Sequence, residues 1–283
     1  MTLRQSLTSP NVGKTPKTPR KPNNNRDTSI QSPYFSSGKA HLSTRLNDLE
    51  RKTQPKNNHD TLPAYEPVVL APDVQNLLDH LTSLKPDLIQ EKVANDPWKL
   101  LIAVTLLNKT TGKLAIPVFW RLIERWPTPL LLSQVNPEEL VDLIRPLGTQ
   151  TIRTNRLIDL SKAYMQDPPS THDIRASRTS VISTRSSRFF SLTRIRYPAT
   201  PVSHLPGAGI YALDSYRIFC ISYSDPFSEE WKFVQASDKE LVRYLKWKWA
   251  SFEHLQWSSN KGPGRPVTSK YLRLLIADLE VKS

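Results

Sequence analysis

Two glycines spaced two apart form the part of this 283-residue chain best suited to bind a ligand through its backbone. They lie in His204-Leu205-Pro206-Gly207-Ala208-Gly209-Ile210-Tyr211, between two segments with helical periodicity. Glycine lets the backbone turn tightly, and amides that open the next helix point outward and attract an anion. The pattern is typical of sequence-independent phosphate binding. A plain turn between two helices explains it equally well, so both interpretations stay open at this point.

Two carboxylates follow this hairpin, those of Asp214 and Asp238. The run Ser237-Asp238-Lys239-Glu240 has the form of a capping box, which predicts Asp238 in the first turn of a helix. The helix dipole there favours the ionised carboxylate. Most acidic residues in a first turn only balance the dipole, so these residues alone favour a structural role over a catalytic one.

Apolar residues recur at three- and four-residue intervals from about Ala71 onward, which predicts amphipathic helices. The first helical face is marked by Val74, Leu77, Leu78 and Leu81, and further helices are predicted over 97–107, 111–125, 137–144, 149–165, 212–222, 238–254 and 268–281. No window alternates with a period of two, so the predicted fold is all-α, with two helical lobes over 74–165 and 202–254.

The net charge of +13 is concentrated in two segments that have few large apolar residues. Residues 1–66 carry 11 basic and 5 acidic side chains, and residues 167–203 carry 6 and 2. We expect a disordered basic tail over 1–66, a folded domain over 67–255 with a mobile insertion at 168–200, and a linker with a C-terminal helix over 256–283.

The composition excludes several classes of site. The single cysteine, Cys220, cannot form a disulfide framework or a zinc or iron-sulfur site built on several cysteines, so no metal or cofactor is predicted. The longest apolar run, Leu100 to Leu107, is much shorter than the ~18 residues of a membrane-spanning helix, and the polar start indicates no secretory signal. The basic excess suggests a polyanionic partner.

Several blocks of sequence make the chain resemble the helix-hairpin-helix DNA glycosylase superfamily, and within it the glycosylase domains of the methyl-CpG-binding domain protein 4 family. The blocks are LeuIleGlnGluLysVal from Leu88, AspProTrpLysLeuLeuIleAla from Asp96, LeuAsnLysThrThrGlyLysLeuAlaIleProVal from Leu107, ArgProLeuGly from Arg145 and AspSerTyrArgIlePheCys from Asp214. The resemblance implies a two-lobed helical fold with a DNA-binding cleft.

The resemblance also implies a reaction, because these enzymes flip a nucleotide out of the duplex and break its N-glycosidic bond. In the family, the catalytic aspartate comes seven residues after a tryptophan and opens a helix. Trp231 precedes Asp238 by seven residues, so the resemblance favours Asp238 over Asp214, which we interpret as a helix-start or hairpin-bracing residue.

In relatives that also cut the strand, a lysine follows the second hairpin glycine by two positions. Tyr211 occupies that position here, so no Schiff base can form at it and a monofunctional glycosylase is expected. Tyr211 matches a tyrosine that contacts the flipped base, although an aromatic residue that anchors the hairpin is the alternative.

Other roles follow position by position from the same blocks. Gln90 and Leu107 match residues that bind the extruded pyrimidine, while Gly207 and Gly209 of the hairpin are expected at DNA. Lys109 stands where the family has a wedging arginine, Thr149 where it has a leucine that presses on the opposite base, and Glu240 where a lysine would meet phosphate. An insertion near 223–230 lengthens the spacing to Asp238.

The predicted function is excision of thymine or uracil mispaired with guanine, in base excision repair of deaminated cytosine or 5-methylcytosine. The alternative is a catalytically silent helix-hairpin-helix DNA-binding or scaffold module, which the altered DNA-facing positions suggest. The expected partner is double-stranded DNA, with no membrane, a monomeric state, repair-protein contacts through the tails and residence in the nucleus.

Overall fold

The computed structural model describes residues 71–183 and 193–281, and the predicted tail over 1–66 lies outside the described residues. The helices, in chain order, are α1 (Pro72–Ser83), α2 (Ile89–Lys92), α3 (Pro97–Leu107), α4 (Gly112–Arg125), α5 (Pro129–Ser133), α6 (Pro137–Ile144), α7 (Gln150–Gln166), α8 (Ile210–Ser215), α9 (Ile221–Ser224), α10 (Lys239–Phe252) and α11 (Ser269–Glu280). A π-helical turn, Tyr216–Cys220, joins α8 to α9. The predicted helical fold class is therefore confirmed.

Two short antiparallel pairs accompany the helices. Strand β1 (Ser180–Ser183) pairs with β2 (Thr193–Arg196), and β3 (Leu255–Ser258) pairs with β4 (Gly262–Pro266). Strands of four or five residues are too short to show a clear two-residue alternation, so the sequence did not predict them. The second pair lies at the start of the segment for which a linker was predicted.

Helix α3 is the centre of the core. Asp96 caps it by accepting a hydrogen bond from the Lys99 amide at 3.1 Å, and Pro97 fills its first turn. The residues buried on it are Trp98, Leu100, Leu101, Ile102, Ala103, Val104, Thr105 and Leu106. Because they surround the helix, neighbours pack on several sides, namely α2, α4, α7 and α8.

The helices form two sets, but the division differs from the predicted one. Helices α3 to α7 pack together, whereas α1 packs with α10 and α11. The Trp247 indole of α10 donates to the Leu81 carbonyl of α1 at 3.0 Å, and the Ser269 hydroxyl of α11 donates to Asp73 at 2.6 Å. The prediction that α1 belongs to the first lobe is wrong, because an apolar face does not specify which distant helix will cover it.

The C-terminal helix α11 completes this second set. Leu272, Leu275 and Leu279 are buried, whereas Leu274 is exposed. Within the described ranges, no helix combines the length and apolarity needed to span a bilayer.

The segment over 168–200, predicted to be a mobile insertion, contains residues that pack on the domain. Ser177, Tyr197 and Thr200 are buried, and Arg175 exchanges backbone hydrogen bonds with Thr200 at 3.1 Å. Residues 184–192 lie outside the described residues. The packed flanks bring Tyr197 close to the candidate site.

Candidate active site

Asp238 is the N-cap of α10. Its Oδ1 atom accepts hydrogen bonds from the amides of Glu240 at 3.0 Å and Leu241 at 3.1 Å. The N-cap is thus Asp238 itself, whereas the capping-box pattern predicts Ser237 as the N-cap and Asp238 in the first helical turn. These amides and the helix dipole stabilise negative charge on the carboxylate. Since both amides bind Oδ1, neither of them occupies Oδ2.

Tyr211 and Gln90 meet beside this carboxylate. The Gln90 side chain, only 2% exposed, donates from Nε2 to the Tyr211 hydroxyl at 2.8 Å. Burial raises the pKa of Tyr211 well above its usual value, and the negative charges of Asp238 and Glu240 add to the rise. Tyr211 therefore keeps its proton near neutral pH and lies within electrostatic reach of Asp238.

Asp214, the other candidate carboxylate, is 2% exposed and accepts a hydrogen bond from the Tyr197 hydroxyl at 2.6 Å. Burial raises the pKa of Asp214 from 3.8 to about 6, and the charge of Asp238 contributes in the same direction. The hydrogen bond from Tyr197 and the positive charge of Arg217 oppose this rise. The structure thus places Asp214 in the interior, bonded within the protein.

A buried polar network continues from Asp214. The Arg217 guanidinium donates to the Tyr197 hydroxyl at 3.4 Å and to Glu230 at 2.7 Å. Sequence reasoning missed these three residues. Tyr197 and Glu230 lie in predicted insertions, and Arg217 lies in a matching block that gave it no role, so no local signal connected them.

The predicted DNA contacts at Lys109 and Thr149 are both exposed and both in the left-handed backbone conformation, with φ of 59° and 48°. This conformation costs energy for residues with a side chain, so it marks positions held by their surroundings. The Thr149 hydroxyl accepts a hydrogen bond from Arg153 at 3.1 Å. Leu107, at the end of α3, is half-buried.

The two hairpin glycines differ in what they require. Gly207 has φ of 83°, and a Cβ there would lie 3.1 Å from Cδ of Arg156. Gly209 has φ of −81° and open space around its Cα. The amides of Ala208 and Gly209 donate to the carbonyls of Leu205 and Gly207 at 3.2 and 2.7 Å. Those two amides are therefore used inside the turn, and a phosphate would have to meet others.

Apart from the half-buried Leu107, the candidate residues fall into two groups. We call Gln90, Tyr211, Asp214 and Asp238 the pocket cluster, because hydrogen bonds or electrostatic interactions connect them. We call Lys109, Thr149, Gly207 and Gly209 the exposed rim, because all four are exposed. The hairpin connects the two groups, since Tyr211 follows Gly209 by two residues.

The pocket cluster can hold one ionised carboxylate next to a neutral phenol and a primary amide. Such a carboxylate can stabilise a cation or accept a proton from water. Over the described part of the chain, no group of three or more His, Cys, Asp or Glu side chains could hold a metal ion.

Comparison with known proteins gives partial matches. No protein-family model matches the chain. It is 30% identical over 158 residues to a methyl-CpG-binding domain protein 4-like protein of Arabidopsis thaliana, which covers 56% of this chain and 27% of the relative. It is 40% identical over 67 residues to a thymine-DNA glycosylase of Aeropyrum pernix, covering 24% of this chain and 30% of the relative.

Two further matches are to an endonuclease III and to a solved structure. Over 71 residues, 25% of this chain and 33% of the relative, the chain is 28% identical to endonuclease III of Thermotoga maritima. A solved thermostable thymine-DNA glycosylase has a TM-score of 0.40 at 15% identity, covering 74% of this chain and 84% of that chain. The matched part of the chain thus covers a third or less of the length of each of these three relatives. The matches by sequence confirm the resemblance to DNA glycosylases that the blocks of sequence indicate.

Proposed function

We propose that the protein is a monofunctional DNA glycosylase that removes thymine or uracil mispaired with guanine from double-stranded DNA. The observation that carries this proposal is the Asp238 carboxylate, held through one oxygen at the start of α10 and within electrostatic reach of Tyr211 in the hairpin. The name of the relative from Aeropyrum pernix, a thymine-DNA glycosylase, supports the reaction class.

The chemistry requires a cation-stabilising group rather than a strong acid. As the N-glycosidic bond breaks, the pyrimidine leaves with the bonding electrons as a delocalised anion, and positive charge develops on the sugar. Asp238 stabilises that charge through its ionised carboxylate. A water molecule then adds to C1′ of the sugar, loses a proton, and leaves an abasic site. The released base takes up a proton.

Gln90 and Tyr211 would select the base. Nε2 of Gln90 is directed to the Tyr211 hydroxyl, so Oε1 remains to accept a hydrogen bond. Thymine and uracil carry an N3–H donor, whereas cytosine carries an unprotonated N3 acceptor. A Gln90 carbonyl oxygen facing that edge therefore favours thymine and uracil over cytosine.

Tyr211 is the reason for proposing a monofunctional enzyme. A strand-cutting reaction through a Schiff base needs an amine, and a tyrosine cannot supply one. The match to endonuclease III makes this point worth testing. Borohydride added during turnover should trap no covalent adduct with wild-type protein, while Tyr211→Lys provides the matched variant that carries an amine. An adduct with wild-type protein would contradict the monofunctional proposal.

The direct test uses duplexes with one G:U or G:T pair, followed by alkaline cleavage of abasic sites. We expect product from the wild-type protein and, from Asp238→Asn, a rate at least about 100-fold lower with duplex binding preserved. Asp225→Asn, which changes an exposed aspartate, is the matched control. Duplex binding without base release by the wild-type protein would favour the silent DNA-binding module instead.

A further inference from the structure

Two separate loops of the exposed rim share an unusual feature. Lys109 follows the C-terminal end of α3 and Thr149 precedes α7, and both adopt the left-handed conformation. Neither is a glycine, so each loop needs outside contacts to hold this shape. The same side chain supplies such contacts to both loops.

That side chain is Arg153 of α7, which is 7% exposed. Nη1 donates to the carbonyls of Thr105 at 3.0 Å and Leu106 at 2.6 Å. Nη2 donates to the Asn108 carbonyl at 2.8 Å and the Thr110 hydroxyl at 2.7 Å, on either side of Lys109. Nε donates to the Thr149 hydroxyl at 3.1 Å. All five N–H groups of the guanidinium therefore have acceptors.

The charge of Arg153 is balanced without a carboxylate. Within residues 71–183 and 193–281, the hydrogen-bond partners of its guanidinium are carbonyl and hydroxyl oxygens, and no carboxylate is among them. Several of those carbonyls end α3, where the helix dipole is negative and a cation is favoured. Burial lowers the pKa of Arg153, with the nearby charge of Arg156 adding to this. Replacing Arg153 with an apolar side chain would remove all five of these donors from their acceptors.

The hairpin lies against the same part of the molecule. A Cβ on Gly207 would approach Arg156, one helical turn after Arg153, at 3.1 Å and the Thr105 hydroxyl at 3.9 Å. Thr105 is also a residue whose carbonyl Arg153 binds. The hairpin thus lies next to the end of α3 and the start of α7. The loops of Lys109 and Thr149 extend from these same two helix ends.

We propose that Arg153 is a positioning residue that couples the two loops and presents Lys109 and Thr149 together to duplex DNA. The proposal rests on the proposed function, because it takes the exposed rim to be the DNA-facing surface. A lysine cannot replace Arg153, since its single ammonium has three donors and cannot reach both loops through a planar fork.

The test compares Arg153→Lys with Arg121→Lys, a matched change at an exposed position of α4. Hydrogen exchange of backbone amides reports local opening of each loop. In Arg153→Lys we expect exchange to rise about tenfold in both 107–111 and 148–153, with no rise in 89–93. Arg121→Lys should match the wild-type protein throughout. A rise in one loop alone, no rise, or an equal rise in every segment would overturn the coupling.

Duplex binding provides the second readout. Arg153→Lys should weaken binding to a G:T duplex about tenfold, and adding Lys109→Ala should weaken it further by much less than Lys109→Ala does alone in the wild-type background. Fully additive effects would overturn the proposal.

The two proposals fail in different ways. If the wild-type protein releases no base, the proposed function fails, while exchange and duplex binding still decide the role of Arg153. If the wild-type protein is active and Arg153→Lys leaves both readouts unchanged, only the inference about Arg153 fails.

Discussion

The pocket cluster and the exposed rim differ in burial and in how closely their residue types follow those of the resembled family. In the pocket cluster, Gln90 and Asp214 are almost fully buried and hydrogen-bonded to tyrosines, and the residue types match those expected from the superfamily. On the exposed rim, Lys109 and Thr149 depart from the expected types but occupy left-handed backbone positions. Residue types thus match the resembled family at the expected reacting bond, whereas at the expected duplex surface the types differ and two positions hold an uncommon backbone conformation.

The largest expected effect concerns the interior of the pocket cluster. The pKa of Asp214 is raised from 3.8 to about 6, so its protonated form favours the folded state. That contribution is fully present below pH 3.8 and is lost as the pH rises through about 6. Relative to Asp214→Asn, whose amide oxygen can still accept from Tyr197, the wild-type protein should lose about 3 kcal/mol of stability over this range.

Denaturant unfolding at pH 4 to 8 measures this difference. Asp159→Asn, at an exposed position of α7, is the control and should show no comparable trend. A constant difference between wild-type protein and Asp214→Asn over the whole range would show that Asp214 does not bury a titrating charge.

The next largest expected effect is on stability, when either glycine of the hairpin is replaced by alanine. The two positions form a matched pair on the exposed rim. Gly207→Ala should cost about 1–2 kcal/mol of stability, because φ is 83° and the new methyl group meets Arg156 at 3.1 Å. Gly209→Ala should be nearly neutral in stability, because φ is −81° and nothing lies within 4 Å. Thermal unfolding and duplex titration of both variants test this, and equal losses would refute the assignment.

The contact between Gln90 and Tyr211 has a smaller expected effect. Tyr211→Phe leaves the buried Nε2 of Gln90 without its hydroxyl partner at 2.8 Å, which should cost about 1 kcal/mol. Base release from G:U should also slow, since Gln90 is free to turn. Gln90→Met combined with Tyr211→Phe should cost less than the sum of the two single changes. Strict additivity in unfolding measurements would mean that the two side chains act independently.

The smallest expected effect is a gain in affinity. The negative charge of Glu240 helps to raise the pKa of Tyr211, and the resemblance predicts a phosphate-contacting lysine at the position of Glu240. Glu240→Lys should strengthen duplex binding several-fold. The slope of the logarithm of the binding constant against the logarithm of the salt concentration should become steeper by about one to two. Glu124→Lys, an equal charge change on the exposed face of α4, controls for net charge. The same gain in both variants would place Glu240 away from the duplex.

The sequence predicted the elements better than their partners. Helix α3 was evident from its N-cap, its proline and its apolar run, which are all local signals. The pairing of α1 with α10 and α11 was not, because it depends on contacts such as Trp247 to Leu81 between distant segments. Local patterns indicate that a helix is present and roughly where it lies, while tertiary packing decides which helices meet.

The candidate site was predictable to the same degree. Asp238 was preferred because in the resembled family the aspartate follows a tryptophan by seven residues, as Asp238 follows Trp231, and the structure shows that it caps α10. Tyr197 and Arg153 could not be found, since their functions lie in hydrogen bonds to residues 17 and 43 to 48 positions away. Such contacts have no signature in a single sequence.

The most direct test of the central claim asks whether Asp238 stabilises a positive charge on the sugar. Two duplexes would carry, opposite guanine, either a protonated pyrrolidine that mimics the sugar cation or a neutral tetrahydrofuran. We predict that the wild-type protein binds the pyrrolidine duplex at least about tenfold more tightly than the tetrahydrofuran duplex. Asp238→Asn should lose this preference while keeping its affinity for the tetrahydrofuran duplex. An equal preference in both proteins would contradict the assignment of Asp238.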